Sequence, residues 1–488
     1  NRQGRGDVLE GDQAKEVLDL LKNDAERTYN NYEIMLNERY DGSVIDTVPS
    51  ASVDDVNNAV NSAENGFTEM KKLSAHERYE KLMKASVLIE ERKEDLARTI
   101  TLEEGKVISE GRMEVERCKE TIIVSAEEAK RLNSEVLPLD AAPGNKGKFG
   151  FTLRVPVGIV AAISPFNFPL NLVAHKVGPA LAAGNSVVLK PASDTPLSAL
   201  KLTEIMVDAG FPSESIQCIT GSGSKIGNAL VGNPKIRKVT FTGSQEVGEI
   251  ICKNAGLKKV TMELGSNSPL VVLPDADLEK VAQATTQSGF SNAGQVCIST
   301  QRVIVDQSIY GDYLDALVPV VESLKVGNPI EDPVKLGPMV REDDAVRVSE
   351  WIDEAVSGGA RLLTGGERER ATVSPAIIAD ANPDMKICRE ELFGPAVTVM
   401  PAKNIDEAIA MANDTRFGLS AACFTENLDH ALRFALEVDS GNLNINSGTQ
   451  FRADFMPYGG LKDSGMGKEG PKYAIEEMTE LKMVVIHR

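Results

Sequence analysis

Val157-Gly158-Ile159-Val160-Ala161-Ala162-Ile163 is a run without one polar side chain. A strand with one wet face alternates apolar and polar residues. An unbroken apolar run needs cover on both faces. Short β-branched segments return at Ser186-Val187-Val188-Leu189-Lys190, Ile216-Gln217-Cys218-Ile219 and Lys238-Val239-Thr240-Phe241. Each is separated from the next by a stretch long enough for a helix. That alternation predicts an α/β fold, a parallel sheet with helices on both faces. A second alternating set begins at Pro269-Leu270-Val271-Val272-Leu273 and runs to about residue 470. Two α/β units are therefore expected, with the chemistry between them.

Outward from this centre the texture changes. Residues 53–135 read as charged amphipathic helices, with Ser52-Val53-Asp54-Asp55 as an N-cap and Glu80 to Lys130 rich in Glu, Lys, Arg and Leu. Asp12 to Asn23, inside an extension over residues 1–28, has the spacing of a short amphipathic helix (Val17, Leu18, Leu20, Leu21). At the other end, Thr479 to Arg488 reads as a strand. It is expected either to pair with another element or subunit or to be an ordinary edge strand. No tandem repeat or low-complexity linker interrupts the chain.

The chain has 488 residues, 42% hydrophobic and 26% charged, which is globular and not disordered composition. Its net charge of −19, from 53 basic and 72 acidic residues, repels phosphate backbones and anionic lipid, so neither nucleic acid nor a membrane surface is an expected partner. No apolar run reaches the roughly 20 residues of a membrane span, and Asn1 to Asp7 has no apolar leader core. The six cysteines are scattered with no CxxC pair, which points to reduced thiols and a cytoplasmic setting. The four histidines have no metal-ligand spacing, so no metal site is expected.

Several segments could carry chemistry. Two glycine clusters compete for a dinucleotide: Gly221-Ser222-Gly223-Ser224-Lys225-Ile226-Gly227, and Gly243-Ser244-Gln245-Glu246-Val247-Gly248, which follows a strand and opens a helix. A Gly-Ser turn at a helix start offers free N–H groups to a pyrophosphate, although each cluster alone is also compatible with a plain turn. Lys190 ends a strand where α/β folds collect ligands; a solvated loop lysine is the alternative. Ser291-Asn292-Ala293-Gly294-Gln295-Val296-Cys297 brings a cysteine after a glycine loop, as a nucleophile or as a small buried hydrophobe. Thr261-Met262-Glu263-Leu264-Gly265 sets one carboxylate among apolar residues, suited to general-base work if burial raises its pKa, or else satisfied by a salt bridge. Ser164-Pro165-Phe166-Asn167-Phe168-Pro169 places a non-ionising amide donor at a strand end, as an oxyanion donor or a turn asparagine.

Taken together, these segments resemble the aldehyde dehydrogenase superfamily in order and spacing. The resemblance rests on Pro165-Phe166-Asn167-Phe168-Pro169, Gly184-Asn185-Ser186-Val187-Val188-Leu189-Lys190-Pro191, Phe241-Thr242-Gly243-Ser244, Glu263-Leu264-Gly265, Gly294-Gln295-Val296-Cys297, Glu391-Leu392-Phe393-Gly394-Pro395 and Pro457-Tyr458-Gly459-Gly460, and it runs from about residue 30 to 488. It implies a Rossmann-type cofactor domain over 1–131 and 155–265, an α/β catalytic domain over 266–465, and a small β oligomerisation arm over 132–154 and 477–488. Assembly as a homodimer or homotetramer is implied with it. It implies NAD or NADP as cofactor and a small-molecule aldehyde as substrate. It also implies Cys297 as nucleophile, Asn167 with the Cys297 N–H as oxyanion donors, and Glu263 as the base that activates water. Ser164, Phe166, Lys190, Ser193, Gly243, Ser244, Glu391 and Phe393 would bind the cofactor. Relatives that pass the acyl group to coenzyme A lack the glutamate, so Glu263 favours water as acceptor. A coenzyme-A-acylating enzyme and a non-catalytic member of the fold are the alternatives.

The chain departs from the usual pattern at three places. Gln245 replaces a threonine, with little effect expected because Ser244 remains, and Ser266 replaces a glycine. Ser193 stands where NAD-preferring relatives carry a glutamate that repels a 2′-phosphate, which leaves NADP open. The stretches Asn167 to Lys176 and Phe451 to Tyr458 look most like the branch acting on small hydroxy- or anion-bearing aldehydes, which includes lactaldehyde and non-phosphorylating glyceraldehyde-3-phosphate dehydrogenases. Arg117, His175 and Arg452 are the candidate substrate residues, the two arginines for an anionic end. His175 falls where succinate-semialdehyde relatives have an arginine, and Val296 where some phosphate-binding relatives have one, so those two substrates are less expected.

Overall fold

The computed structural model describes residues 33–487; the helix expected over Asp12 to Asn23 lies outside them. Strand Ile159–Ile163 forms inside the apolar run. It pairs in parallel with Ser186–Lys190 on one side and Ile236–Thr242 on the other. Ile216–Cys218 and Lys259–Glu263 extend the ladder at the two flanks.

Side chains alternate across this sheet. Val160, Ala162, Val187 and Leu189 enter a core shared with helices Ala75–Glu91, Ile108–Ala129 and Asn171–Ala182. Ile159, Ala161, Ile163 and Val188 enter a second core on the opposite face, with Val56 and Val60 of helix Val53–Met70 and Ile251 of helix Gln245–Ala255. Neither face is wet, which accounts for the missing polar residues. Each Val or Ile buried in this way contributes about 1.5–3 kcal/mol.

Parallel strands bring their C-terminal ends to one edge, where α/β sheets bind ligands. The register sets Ile163 level with Lys190 and Phe241, and Thr242 level with Glu263. The loops carrying Asn167 and Gly243, the side chain of Lys190 and that of Glu263 therefore emerge along one line.

The second set of strands forms a seven-stranded sheet. Its order is Arg361–Thr364, Ala376–Ala379, Ala396–Ala402, Arg302–Asp306, Pro269–Val272, Ser420–Phe424 and Asn442–Ile445, all parallel except the first. A separate large core surrounds it. After this sheet the chain returns to the first one. Gly465–Met466 adds an antiparallel edge to Lys259–Glu263, with Gly465 opposite Glu263, and helix Pro471–Glu477 packs on Asn171–Ala182.

The terminal strand Thr479–His487 pairs along its whole length with Lys148–Pro156 of the same chain, and Val136–Leu137 completes a three-stranded sheet. Thr479–His487 is thus an edge strand, and Phe149, Leu153, Leu481, Met483, Val485 and Ile486 are exposed on this sheet.

Ser52 caps the first long helix through a reciprocal bond with Asp55, as its sequence predicts. Within and between these amphipathic helices some charged residues are buried: Glu103, Glu104, Lys106 and Glu114. Among the described residues, no helix is long and apolar enough to cross a membrane.

Candidate active site

A cleft of about 600 Å³ opens at the C-terminal edge of the first sheet. Ser164, Phe166, Lys190, Gly243, Ser244, Glu391 and Phe393 line it, and Cys297 lies in its wall. The two glycine clusters are not competitors, because Gly223 and Gly227 line the same cleft as Gly243. Ser244 is the N-cap of helix Gln245–Ala255, its Oγ accepting from the Val247 N–H at 3.4 Å. Burial pushes the Lys190 ammonium down to about 8, and its Nζ donates to the Pro191 carbonyl at 2.8 Å. Glu391 Oε1 accepts from the Ser266 N–H at 2.9 Å. Gly265 permits this approach, since a Cβ there would lie 2.2 Å from Glu391 Oε2. Burial raises Glu391 to about 7 against that hydrogen bond. Phe393 has a left-handed φ of 49°, and its ring meets Phe166 edge-on at 5.8 Å.

Ser193 differs from its expected place. Its hydroxyl donates to the Gly221 carbonyl at 3.0 Å, and Ala192, not Ser193, lines the cleft. Two arginines that sequence reading missed also line it, Arg341 and Arg347. Arg341 lies 5.7 Å from the Phe166 ring and pairs with Asp194. Nothing in their helical surroundings distinguishes them from surface arginines before the fold is known.

Cys297 follows a strained turn. Asn292, Ala293 and Gly294 take φ of 51°, 51° and 70°. A Cβ on Gly294 would stand 2.0 Å from the Gly394 carbonyl oxygen, so the turn before Cys297 and the Phe393-Gly394 turn pack back to back. Burial pushes the Cys297 thiol up to about 12, helped by the negative charges of Glu391 and Glu263 and opposed by a hydrogen bond from Asn167. Asn167 is 1% exposed. Its Nδ2 donates to the Gln295 carbonyl at 2.8 Å, and its Oδ1 is buried without a partner. An amide nitrogen has two hydrogens, so one remains to donate elsewhere.

Neither carboxylate oxygen of the buried Glu263 has a hydrogen-bond partner. Burial raises its pKa well above the usual range, and Glu469 raises it further, against Arg452 and Lys176. Glu469 behaves oppositely: burial disfavours its charge, but Lys176 at 2.7 Å and Arg452 at 3.3 Å outweigh burial and keep it ionised. Lys176 also donates to Thr242 Oγ1 at 2.6 Å. Two carboxyl groups side by side are thus pushed apart in pKa. Sequence reading missed Glu469 and Lys176, which no motif marks.

On the other side of the Asn167-Phe168 loop lies a cavity of about 830 Å³, lined by Phe168, Phe451, Arg117 and Arg452 among others. Arg452 stacks 3.8 Å over Tyr458 and is paired with Glu469. Arg117 makes no ion pair with a carboxylate among the described residues; burial and the neighbouring Arg452 charge both push its pKa down. His175 lines neither opening. It sits behind Arg452, whose Nη2 donates to His175 Nδ1 at 3.2 Å, while Nε2 lies 3.2 Å from Asp454. Burial lowers its pKa to about 4, so it is a neutral support and not a cation facing a ligand.

Known proteins resemble this chain over most of its length. The model of the "Aldehyde dehydrogenase family" matches residues 27–484. A "3-sulfolactaldehyde dehydrogenase" of Priestia aryabhattai is 51% identical over 437 residues, covering 90% of this chain and 91% of the relative. A "Lactaldehyde dehydrogenase" of Methanococcus maripaludis is 39% identical over 447 residues, covering 91% and 95%. The crystal structure of a glyceraldehyde-3-phosphate dehydrogenase from Methanocaldococcus jannaschii, complexed with NADP, superposes with a TM-score of 0.90 at 38% identity, covering 94% of this chain and all of that one.

Proposed function

The chain belongs to the aldehyde dehydrogenase family, and from that premise we propose that it oxidises a short hydroxyaldehyde bearing an anionic group to the free acid, through a thioester on Cys297. It is an NAD(P)-dependent oxidoreductase. The observation that carries the substrate reading is the pair of guanidiniums, Arg117 and Arg452, that line one cavity, with Arg117 in no salt bridge among the described residues. The relatives are named for sulfolactaldehyde and lactaldehyde: both support a short hydroxyaldehyde, and the first supports the anionic group.

The cleft residues fit a dinucleotide. Ser164 Oγ is buried in the wall without a partner, a Cβ at Gly227 would meet nothing within 4 Å, and the N-terminus of Gln245–Ala255 faces the space. Bound NAD(P) supplies the hydride acceptor. The chain's own residues do the rest. The Cys297 thiol gives up its proton to water, its sulfur adds to the aldehyde carbon, and the free Asn167 N–H and the Cys297 N–H hold the oxyanion. Each such donor is worth roughly 10²–10³ in rate. Glu263 then takes a proton from the water that attacks the thioester, the C–S bond breaks, and the acid leaves with the Cys297 sulfur released as thiolate. In this reading 1–131 and 155–265 hold the cofactor, and 266–465 carries the nucleophile. Segments 132–154 and 477–488 form the arm through which copies of the chain assemble, a role supported by the exposed apolar side chains of that sheet.

The test is turnover of a panel: sulfolactaldehyde, lactaldehyde, glyceraldehyde 3-phosphate, succinate semialdehyde and an aliphatic aldehyde, with and without coenzyme A. Free acid formed without coenzyme A is expected; a strict requirement for coenzyme A would overturn the role of water. Arg117→Ala should raise KM for the anionic aldehydes about 10–100-fold, the loss of one charge-assisted hydrogen bond. Lactaldehyde should be little affected, and equal changes for both would sink the anion reading.

Cofactor choice is tested at residue 193. Serine at 193 brings no charge of its own against a 2′-phosphate, and both cofactors should support turnover. Ser193→Glu should cut kcat/KM for NADP relative to NAD by at least roughly tenfold, since juxtaposed like charges cost several kcal/mol. An unchanged ratio would remove residue 193 from the cofactor site.

A further inference from the structure

Behind Cys297 and Asn167 lies a charged cluster that the reaction does not use. It comes from one short segment, Glu104-Gly105-Lys106-Val107-Ile108-Ser109-Glu110, and from Glu114. Lys106 and Glu114 are 2% and 1% exposed. Lys106 Nζ donates to the Asn167 carbonyl at 2.7 Å, pairs with Glu114 Oε2 at 2.6 Å, and lies 3.8 Å over the Phe168 ring. The other oxygen of Glu114 accepts the N–H groups of Leu170 and Asn171, at 2.9 and 3.0 Å, where helix Asn171–Ala182 begins.

The same segment also grips the nucleophile turn. Both oxygens of Glu110 accept from the Asn292 N–H, at 3.2 and 3.0 Å. Glu104 Oε1 accepts from Asn292 Nδ2 at 2.8 Å, and that amide also donates to the Asn167 carbonyl at 3.1 Å. Asn292 and Ala293 are both left-handed, a conformation that persists only where the surroundings enforce it. Asn167 closes the circuit through its bond to Gln295, two residues before the nucleophile.

We propose that Glu104, Lys106, Glu110 and Asn292 are positioning residues that lock the Cys297 turn and the Asn167 loop to one frame, fixing the distance between nucleophile and oxyanion donor. The proposal rests on the roles assigned above to Cys297 and Asn167. Cutting the frame displaces the donor from the sulfur, and none of Glu104, Lys106, Glu110 and Asn292 lines the cofactor cleft itself.

The test is Lys106→Ala, followed by kcat, KM, cofactor affinity, melting temperature and the rate at which iodoacetamide alkylates Cys297. A displacement near 1 Å costs on the order of 10²-fold in rate, so kcat should fall about 10²-fold with cofactor affinity unchanged. Ethylammonium can enter by the cavity that Lys106 lines, and it should restore part of the loss. A wild-type kcat overturns the proposal. So does a loss that ethylammonium does not restore and that tracks weaker cofactor binding and a lower melting temperature, because Lys106 would then only support the fold. If Lys106→Ala does not fold, Glu110 decides. Glu110→Ala should slow both turnover and alkylation, and Glu110→Gln, which keeps an acceptor for the Asn292 N–H, should restore most of both. Equal behaviour of the two overturns the proposal. Cys297→Ala is run alongside: activity surviving in that variant overturns the nucleophile assignment instead, so the two failures are distinguishable.

Discussion

Cys297→Ala should lose aldehyde-dependent reduction of NAD(P) with every aldehyde, by about 10⁴-fold or more, while still binding the cofactor. No other thiol can substitute. Cys118, Cys388 and Cys423 are buried in the cores, and neither Cys218 nor Cys252 lines the cleft. The resting thiol has a second measurable property. Burial, then the charges of Glu391 and Glu263, push it up to about 12. The reactive form is the deprotonated one. Alkylation of the free enzyme should therefore be slow at neutral pH and should climb as pH rises, without a plateau in the neutral range. A rate that is flat through that range would mean the thiolate is already present. Alanine at 297 should abolish the labelling altogether.

Glu263→Gln should separate the two halves of the reaction. Both oxygens of Glu263 lack partners, so the amide replaces the carboxyl without breaking a hydrogen bond. A first rapid release of reduced cofactor, one equivalent per site, should survive, and steady turnover should fall by about 10²–10⁴, the usual worth of a positioned base. Loss of the rapid phase as well would show that Glu263 is needed to deprotonate Cys297, and would falsify a role confined to hydrolysis. The pH dependence has a defined sign. The base works only when ionised, and burial and Glu469 raise its pKa above the ordinary carboxylate range. Steady turnover should decline as pH falls through that raised value, and the variant should lack this acid limb.

The sheet was legible because its strands are covered on both faces, so Ile159–Ile163 and Ser186–Lys190 carry an apolar signal without interruption. The residues at the strand ends were legible because short motifs follow each strand directly. Glu104, Lys106 and Glu114 were not. Glu104 and Glu114 sit in helices, with Lys106 between them, and the Glu, Lys and Arg content there resembles a solvated surface; composition does not distinguish a buried charge with a partner from an exposed one. The Lys176–Glu469 pair joins residues on different elements, far apart in sequence. Arg117 and His175 were singled out together, yet one faces the cavity and the other stands behind Arg452. That difference is a matter of side-chain direction, which spacing alone does not encode.

The strand Gly465–Met466, which closes the first sheet beside Glu263, has a consequence in time. It leaves the ribosome about 200 residues after its partner. At synthesis rates of roughly 5–20 residues per second, the Lys259–Glu263 edge waits on the order of 10–40 s for its neighbour. An unpaired edge is a template for the wrong strand. Until then Glu263 stands at an open border of the sheet, and that interval is when a chaperone would be of most use.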